Sequence, residues 1–162
     1  MILTIFTLFH VAISLIGIFA GMVVVGGLLT GKFLDRWTTI FLTTTVATSV
    51  TGFMFPAHHL TPGHVVGFLS ILVLGLAIYA RYCRQLAGGW RKAYVAGAVT
   101  ALFFNVFVAV VQAFEKVPAL RALAPTQTEP AFKGTQLVVL IVFVILGVVA
   151  VVRFRKEPGW TK

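Results

Sequence analysis

Long apolar runs separated by short polar stretches dominate the pattern of the chain. About 20 apolar residues in a helix cross the roughly 30 Å hydrocarbon core of a bilayer. The pattern therefore predicts an all-α integral membrane protein, a single transmembrane domain over residues 1–162, folded as a bundle of five transmembrane helices. The predicted spans are residues 3–30, 37–55, 64–82, 90–114 and 136–152.

Prolines mark several ends of the predicted spans. Pro56 ends the second span, and Thr61-Pro62 fits an N-cap followed by proline at the first helical position of the third. The longest connection, residues 115–135, contains three prolines. Within it, residues 117–123 are predicted to form a short helix at the membrane interface.

Composition supports the prediction of a membrane protein, and the distribution of charge predicts the orientation of the chain in the membrane. The chain is 59% hydrophobic and only 10% charged, with a mean hydropathy of +1.02, whereas soluble domains carry about 25% charged residues. Ten of the 13 Lys and Arg fall on one side of the predicted membrane, and the other three lie in residues 115–135. The positive-inside rule then predicts an outer N-terminus and a cytoplasmic C-terminus. No basic face of a soluble domain is available for nucleic acid, so the lipid bilayer is the expected environment.

The sequence gives little indication of catalysis. Its one cysteine, Cys83, excludes an internal disulfide and a cysteine-rich metal site. No nucleophile elbow, zinc-protease or phosphate-binding loop motif occurs. We therefore assign no catalytic residue.

Four histidines lie in the outer half of the protein under this topology: His10, His58, His59 and His64. Histidines from two helices can hold a haem iron from both faces, which would pair His10 with His64 or His58 as ligands of haem b. All four together match the nitrogen ligands of Zn or Cu. Titration between pH 5 and 8, as in a pH sensor, is a further reading. No carboxylate lies beside them in the sequence to orient the rings, so ordinary interfacial histidines that bind nothing remain an alternative.

Other polar residues fall within the predicted spans. Asn105 and Gln112 are seven residues apart and share one face of the fourth span, and Thr44, Thr48 and Thr51 share a face of the second. This arrangement predicts hydrogen bonds between the two helices. A polar path for a transported solute is the alternative. No charged residue lies in the interior of a predicted span, which argues against a carboxylate proton relay.

Three stretches carry a resemblance to known proteins: Thr30–Thr38 (T-G-K-F-L-D-R-W-T), Thr48–Pro56 (T-S-V-T-G-F-M-F-P) and Lys116–Pro130 (K-V-P-A-L-R-A-L-A-P-T-Q-T-E-P). They resemble a group of small, uncharacterised bacterial inner-membrane proteins, over about residues 10–153. The resemblance implies a bacterial inner membrane and carries no activity.

These observations predict a small membrane subunit or accessory protein that holds haem or a metal at its outer-side histidines. A small-solute or ion pathway formed by a homo-oligomer is one alternative. The other is a purely structural or partner-binding bundle, in which the A-P-T-Q-T-E-P string contacts a membrane protein partner.

Overall fold

The computed structural model describes residues 2–55 and 62–154, and all the regular structure in these ranges is helical. The helices are α1 (Ile2–Leu29), α2 (Asp35–Gly52), α3 (Pro62–Ile78), α4 (Trp90–Lys116), α5 (Pro118–Leu123) and α6 (Pro130–Arg153). A π-helical turn, Tyr79–Cys83, continues α3. The prediction of a five-helix bundle is therefore wrong in its count, since the described residues form six helices. The additional one is the short α5, at the position where the sequence predicted an interfacial helix.

Four of the described helices are long and apolar enough to cross a membrane, namely α1, α3 with its π-helical turn, α4 and α6. This indicates a membrane protein. The predicted second span, α2, does not meet the same standard of apolarity, because its 18 residues include eight hydroxyl side chains as well as Asp35 and Arg36. The structure thus supports four of the five predicted spans by length and composition.

The last helix begins six residues before the predicted start of the fifth span. Pro130 occupies its first turn, and the preceding Glu129 has the extended backbone of an N-cap. The Glu129 carboxylate accepts hydrogen bonds from the backbone N–H groups of Thr126 and Thr128 and from the Thr126 hydroxyl. These bonds fix the turn that precedes α6, and Pro130, with its backbone fixed for the first helical turn, follows directly.

The first four helices run up and down in chain order, with α1 against α2, α2 against α3, α3 against α4 and α4 back against α1. Helix α6 packs outside this group, on α4 and α1. Among the four apolar helices, α4 buries the largest share of its residues and α6 the smallest. Large apolar side chains of α1, α3 and α6 remain exposed, as expected of surfaces that face lipid.

Two glycines let helices approach closely, as the small-residue spacing of membrane helices leads one to expect. A Cβ atom at Gly21 of α1 would lie 2.6 Å from Leu102 Cδ1 and 2.9 Å from the Phe41 ring. At Gly97 of α4 it would lie 2.9 Å from the backbone oxygen of Val73 on α3.

The end of the bundle that contains the α1–α2 connection is fastened by a buried arginine. The Arg81 side chain, in the π-helical turn, is only 7% exposed and forms an ion pair with the largely exposed Asp35. Its guanidinium carbon lies 4.8 Å from the centre of the Phe33 ring and 4.6 Å from that of Tyr82. These contacts tie the α1–α2 connection to the end of α3.

Candidate functional site

A cavity of about 660 Å³ lies among α1, α2, α3 and α4, in the half of the bundle that contains the start of α1 and the end of α4. We refer to it as the cavity. The side chains that point into it are small at many positions, which leaves the space open. These small lining residues are Ser14, Ser49, Gly52, Gly63, Gly67, Ser70, Ala109 and Ala113.

The opposite half of the bundle is filled. Phe41, Leu74, Tyr94 and Leu102 are each at most 1% exposed there, together with several alanines and valines. Among the described residues the cavity is therefore blind at its inner end. Its size lies within the roughly 300–1,000 Å³ of small-molecule sites.

His10 lines the cavity from α1 and is anchored to α2. Its Nδ1 atom lies 2.7 Å from the Thr51 hydroxyl oxygen. That hydroxyl donates its own proton to the backbone oxygen of Ala47, 2.7 Å away. If Thr51 keeps its proton on Ala47, its oxygen accepts from His10; the neutral ring is then protonated at Nδ1, and Nε2 keeps its lone pair for a ligand. The edge-on ring of Phe55, 5.1 Å from the imidazole, further fixes the orientation of His10.

Hydroxyl groups form much of the polar wall of the cavity, and several of them have hydrogen-bond partners within the protein. Ser14 donates to the backbone oxygen of His10 at 2.7 Å, and Ser49 donates to Ser70 at 3.2 Å. Thr48 lines the cavity with its hydroxyl oxygen 3.4 Å from that of Ser14. Because each of these hydroxyls has a partner within the protein, an apolar ligand against this wall costs less in lost hydrogen bonds than it would against unpaired groups.

Asn105 lies at the inner end of the cavity and joins α4 to α2. Its side-chain amide donates to the Thr45 hydroxyl at 3.3 Å, and both residues are buried. The hydrogen bond between the fourth and second predicted spans is thus present, although Thr45 was not among the predicted residues. Predicted Thr44 instead donates to the backbone oxygen of Ile40, at 2.7 Å. Gln112 also lines the cavity, but it donates to Glu115 of its own helix rather than to α2.

The predicted histidine cluster is only partly within the described residues. His64 lines the same cavity as His10, and its ring centre lies 5.7 Å from that of Phe53. His58 and His59 lie outside the described residues. Within residues 2–55 and 62–154, no group of three or more His, Cys, Asp or Glu side chains is arranged to hold a metal ion.

Lys116 stands at the outer end of the cavity, at the last residue of α4. It also lines a second depression of about 400 Å³, which we call the polar pocket. The polar pocket is bounded by Phe114, Glu115, Lys116, Arg121, Pro125, Thr126 and Gln127. Lys116 was not among the predicted site residues, because it lies at a span end, where lysine is ordinary.

Several other residues of the site were missed, and some left a signal in the sequence. Ser14 lies one helical turn after His10, so the spacing already places both on one face. The pairing of Ser49 with Ser70 depends on how α2 and α3 are aligned, for which the sequence has no local signal.

Comparisons with models of protein families, with curated proteins and with solved structures find no match. The resemblance to bacterial inner-membrane proteins therefore stays a prediction. The function proposed below is inferred from the geometry of the cavity.

Proposed function

We propose that the protein is an integral membrane protein that holds one lipophilic small molecule in the cavity. The observation that carries this proposal is a blind, largely apolar space of about 660 Å³ with an anchored histidine on its wall. Sites for small molecules are typically concave and mostly apolar, with a few fixed polar groups. Here those groups are His10 and Asn105, each held by a threonine of α2.

The proposal includes α2 as a fifth membrane-crossing helix. Its 18 residues extend about 27 Å at 1.5 Å per residue, close to the hydrocarbon thickness. It packs between α1 and α3, and several of its threonines donate to their own helix backbone, which lowers the cost of burying them. With five crossings and most Lys and Arg at the end that contains Arg81, the positive-inside rule favours an outer-side cavity. The bacterial inner membrane is supported by the sequence resemblance alone.

Haem b is the second candidate occupant. One observation favours it: His10 and His64, from different helices, line the same cavity. The Nδ1–H of His10 is held by Thr51, which is the arrangement that leaves Nε2 for a metal. Zn or Cu would need further ligands, and His58 and His59 are the remaining sequence candidates.

The blind inner end favours binding over a solute or ion pathway through one copy of the chain. A pathway between copies of a homo-oligomer, and a role as accessory subunit to a membrane protein partner, stay predictions from the sequence.

The test compares purified wild-type protein with Ala109→Trp, which fills the cavity from α4. The control is Val144→Trp, at a 55% exposed position of α6 outside the cavity. Mass spectrometry of solvent extracts identifies retained molecules, and a visible absorption spectrum reports haem. We expect a near-stoichiometric lipophilic molecule in the wild type and the control, and its loss from Ala109→Trp. Equal retention by all three folded proteins, or no retained molecule in the wild type, would contradict the proposal.

A further inference from the structure

The cavity and the polar pocket meet at one residue, Lys116, whose side chain lines both. The two spaces differ sharply in character. The cavity wall is mainly apolar, whereas the polar pocket is bounded largely by charged and amide side chains. An occupant that enters both must therefore have a polar end and an apolar end.

The charges around this junction favour an anion. None of the described residues that line the cavity is acidic, and besides His10 and His64 its only basic one is Lys116. Arg121 adds a second positive charge to the polar pocket, against the single carboxylate of Glu115. Glu115 is engaged by the side-chain amide of Gln112 at 3.4 Å. The Lys, Arg and Glu that line the junction thus sum to a charge of +1, and the neighbouring Glu129 carboxylate is already engaged by Thr126 and Thr128.

The depth of the cavity matches one leaflet of a bilayer. Lys116 and Asn105 lie at its outer and inner ends on the same helix, 11 residues apart. At 1.5 Å per residue this is about 16 Å, roughly half of the 30 Å hydrocarbon core. A chain that begins at the membrane interface would therefore reach the inner end of the cavity near the bilayer midplane.

We propose that the occupant is an anionic amphiphile, with its negative head group at Lys116 and Arg121 and its apolar chain in the cavity. This rests on the proposed function and adds the charge and orientation of the ligand. Lys116 and Arg121 are exposed at the interface, where the ammonium and guanidinium groups remain hydrated and need no buried partner. A fatty-acid carboxylate and a lysophospholipid phosphate share the required chemistry.

The test uses cis-parinaric acid, whose fluorescence rises in an apolar environment, and its uncharged methyl ester. Binding is measured to wild-type protein in nanodiscs of neutral lipid, with empty nanodiscs subtracted and Ala109→Trp defining cavity binding. A basic residue near a membrane surface strengthens anion binding about fivefold. We expect Lys116→Gln with Arg121→Gln to weaken binding of the acid about 25-fold and to leave the ester unchanged. Lys133→Gln is the matched control, because Lys133 is exposed near the start of α6 and lines neither space.

The outcomes separate this inference from the function on which it rests. Equal binding of acid and ester by the wild type overturns the anionic head group and leaves a cavity ligand in place. Failure of both to bind overturns both proposals. Displacement of the acid by lysophosphatidic acid but not by inorganic phosphate supports the amphiphile, whereas equal displacement by inorganic phosphate overturns it. A loss of acid binding in Lys133→Gln as large as in the double variant would also overturn it.

Discussion

Replacement of Gly97 by alanine tests the packing on which the bundle depends. A Cβ atom at this position would lie 2.9 Å from the Val73 backbone oxygen and 3.1 Å from the Ala77 Cβ on α3. Even a weak C–H···O contact needs about 3.3 Å between carbon and oxygen. The oxygen belongs to a helix backbone, so no side-chain rotation relieves the contact. Helices α3 and α4 must instead move apart by several tenths of an ångström.

The size of the effect follows from a comparison with Gly75→Ala on α3. Gly75 is exposed, and a Cβ atom there would meet nothing within 4 Å. Both substitutions gain about 0.5–1 kcal/mol from the better helix propensity of alanine. Only Gly97→Ala also pays for overpacking, which typically costs about 1–3 kcal/mol. The difference between the two variants therefore isolates the packing term, at about 1–3 kcal/mol.

The measurement is the free energy of unfolding in mixed micelles, from titration with sodium dodecyl sulfate followed by circular dichroism. We expect Gly75→Ala to unfold at the same or a higher denaturant fraction than the wild type, and Gly97→Ala at a lower one. If the two variants unfold together, α3 and α4 do not approach as closely as the structure shows, and the reasoning is refuted.

Two further predictions concern groups at opposite ends of the bundle. Thr51→Val removes the acceptor of the His10 Nδ1–H, so we expect a loss of about 0.5–2 kcal/mol of stability and a shift of the His10 proton to Nε2 in ¹⁵N NMR spectra. Thr51→Ser should preserve both the stability and the Nδ1 proton of His10. An Nε2-protonated ring in the wild type would contradict the hydrogen bond from His10 Nδ1 to Thr51. Asp35→Asn leaves the buried Arg81 guanidinium without its charge partner, so thermal unfolding should show a loss of about 1–2 kcal/mol, moderated by the exposure of Asp35. In an Arg81→Met background the same substitution should have no effect; an equal loss there would rule out the ion pair as the cause.

The long apolar helices could be predicted because their signal is local. A run of about 20 apolar residues needs a membrane or a large core, whatever the rest of the chain does. Helix α2 shows where this signal weakens, since its threonines lower the apolarity of a helix that nevertheless packs between α1 and α3. The early start of α6 was missed for a related reason. Its first turns, from Pro130, include Lys133, Gly134 and Thr135, which lower their apolarity, and the helix begins with Pro130 after the extended Glu129.

The candidate site could be predicted from the sequence only in part, because its contacts join segments that are distant along the chain. Helical spacing selected Thr51, and the predicted topology selected His10 as an outer-side histidine, but their pairing over 41 residues depends on the alignment of α1 with α2. Helical spacing also predicted that Gln112 has a partner on α2. Instead, Gln112 donates to Glu115, one turn away on α4. A local partner on the same helix needs no tertiary alignment, and it prevails here.

The hollow half of the bundle has a physical origin in the sizes of its inward-facing side chains. Near Leu102 and Phe41 the interior is filled by large apolar groups, with Gly21 making room for them. Toward the other end the corresponding positions are held by residues such as Ser70 and Ala109, while the helices remain anchored to each other through hydrogen bonds. An apolar core alone would be expected to collapse on such a void, because unfilled space forfeits dispersion contacts. Hydrogen bonds between α1 and α2 and between α2 and α3 fix the positions of these helices relative to each other. We infer that the hydroxyl side chains of α2 help to keep the cavity open. Ser70→Ala removes the hydrogen bond donated by Ser49. We expect this variant to lose a larger fraction of its retained ligand than of its free energy of unfolding.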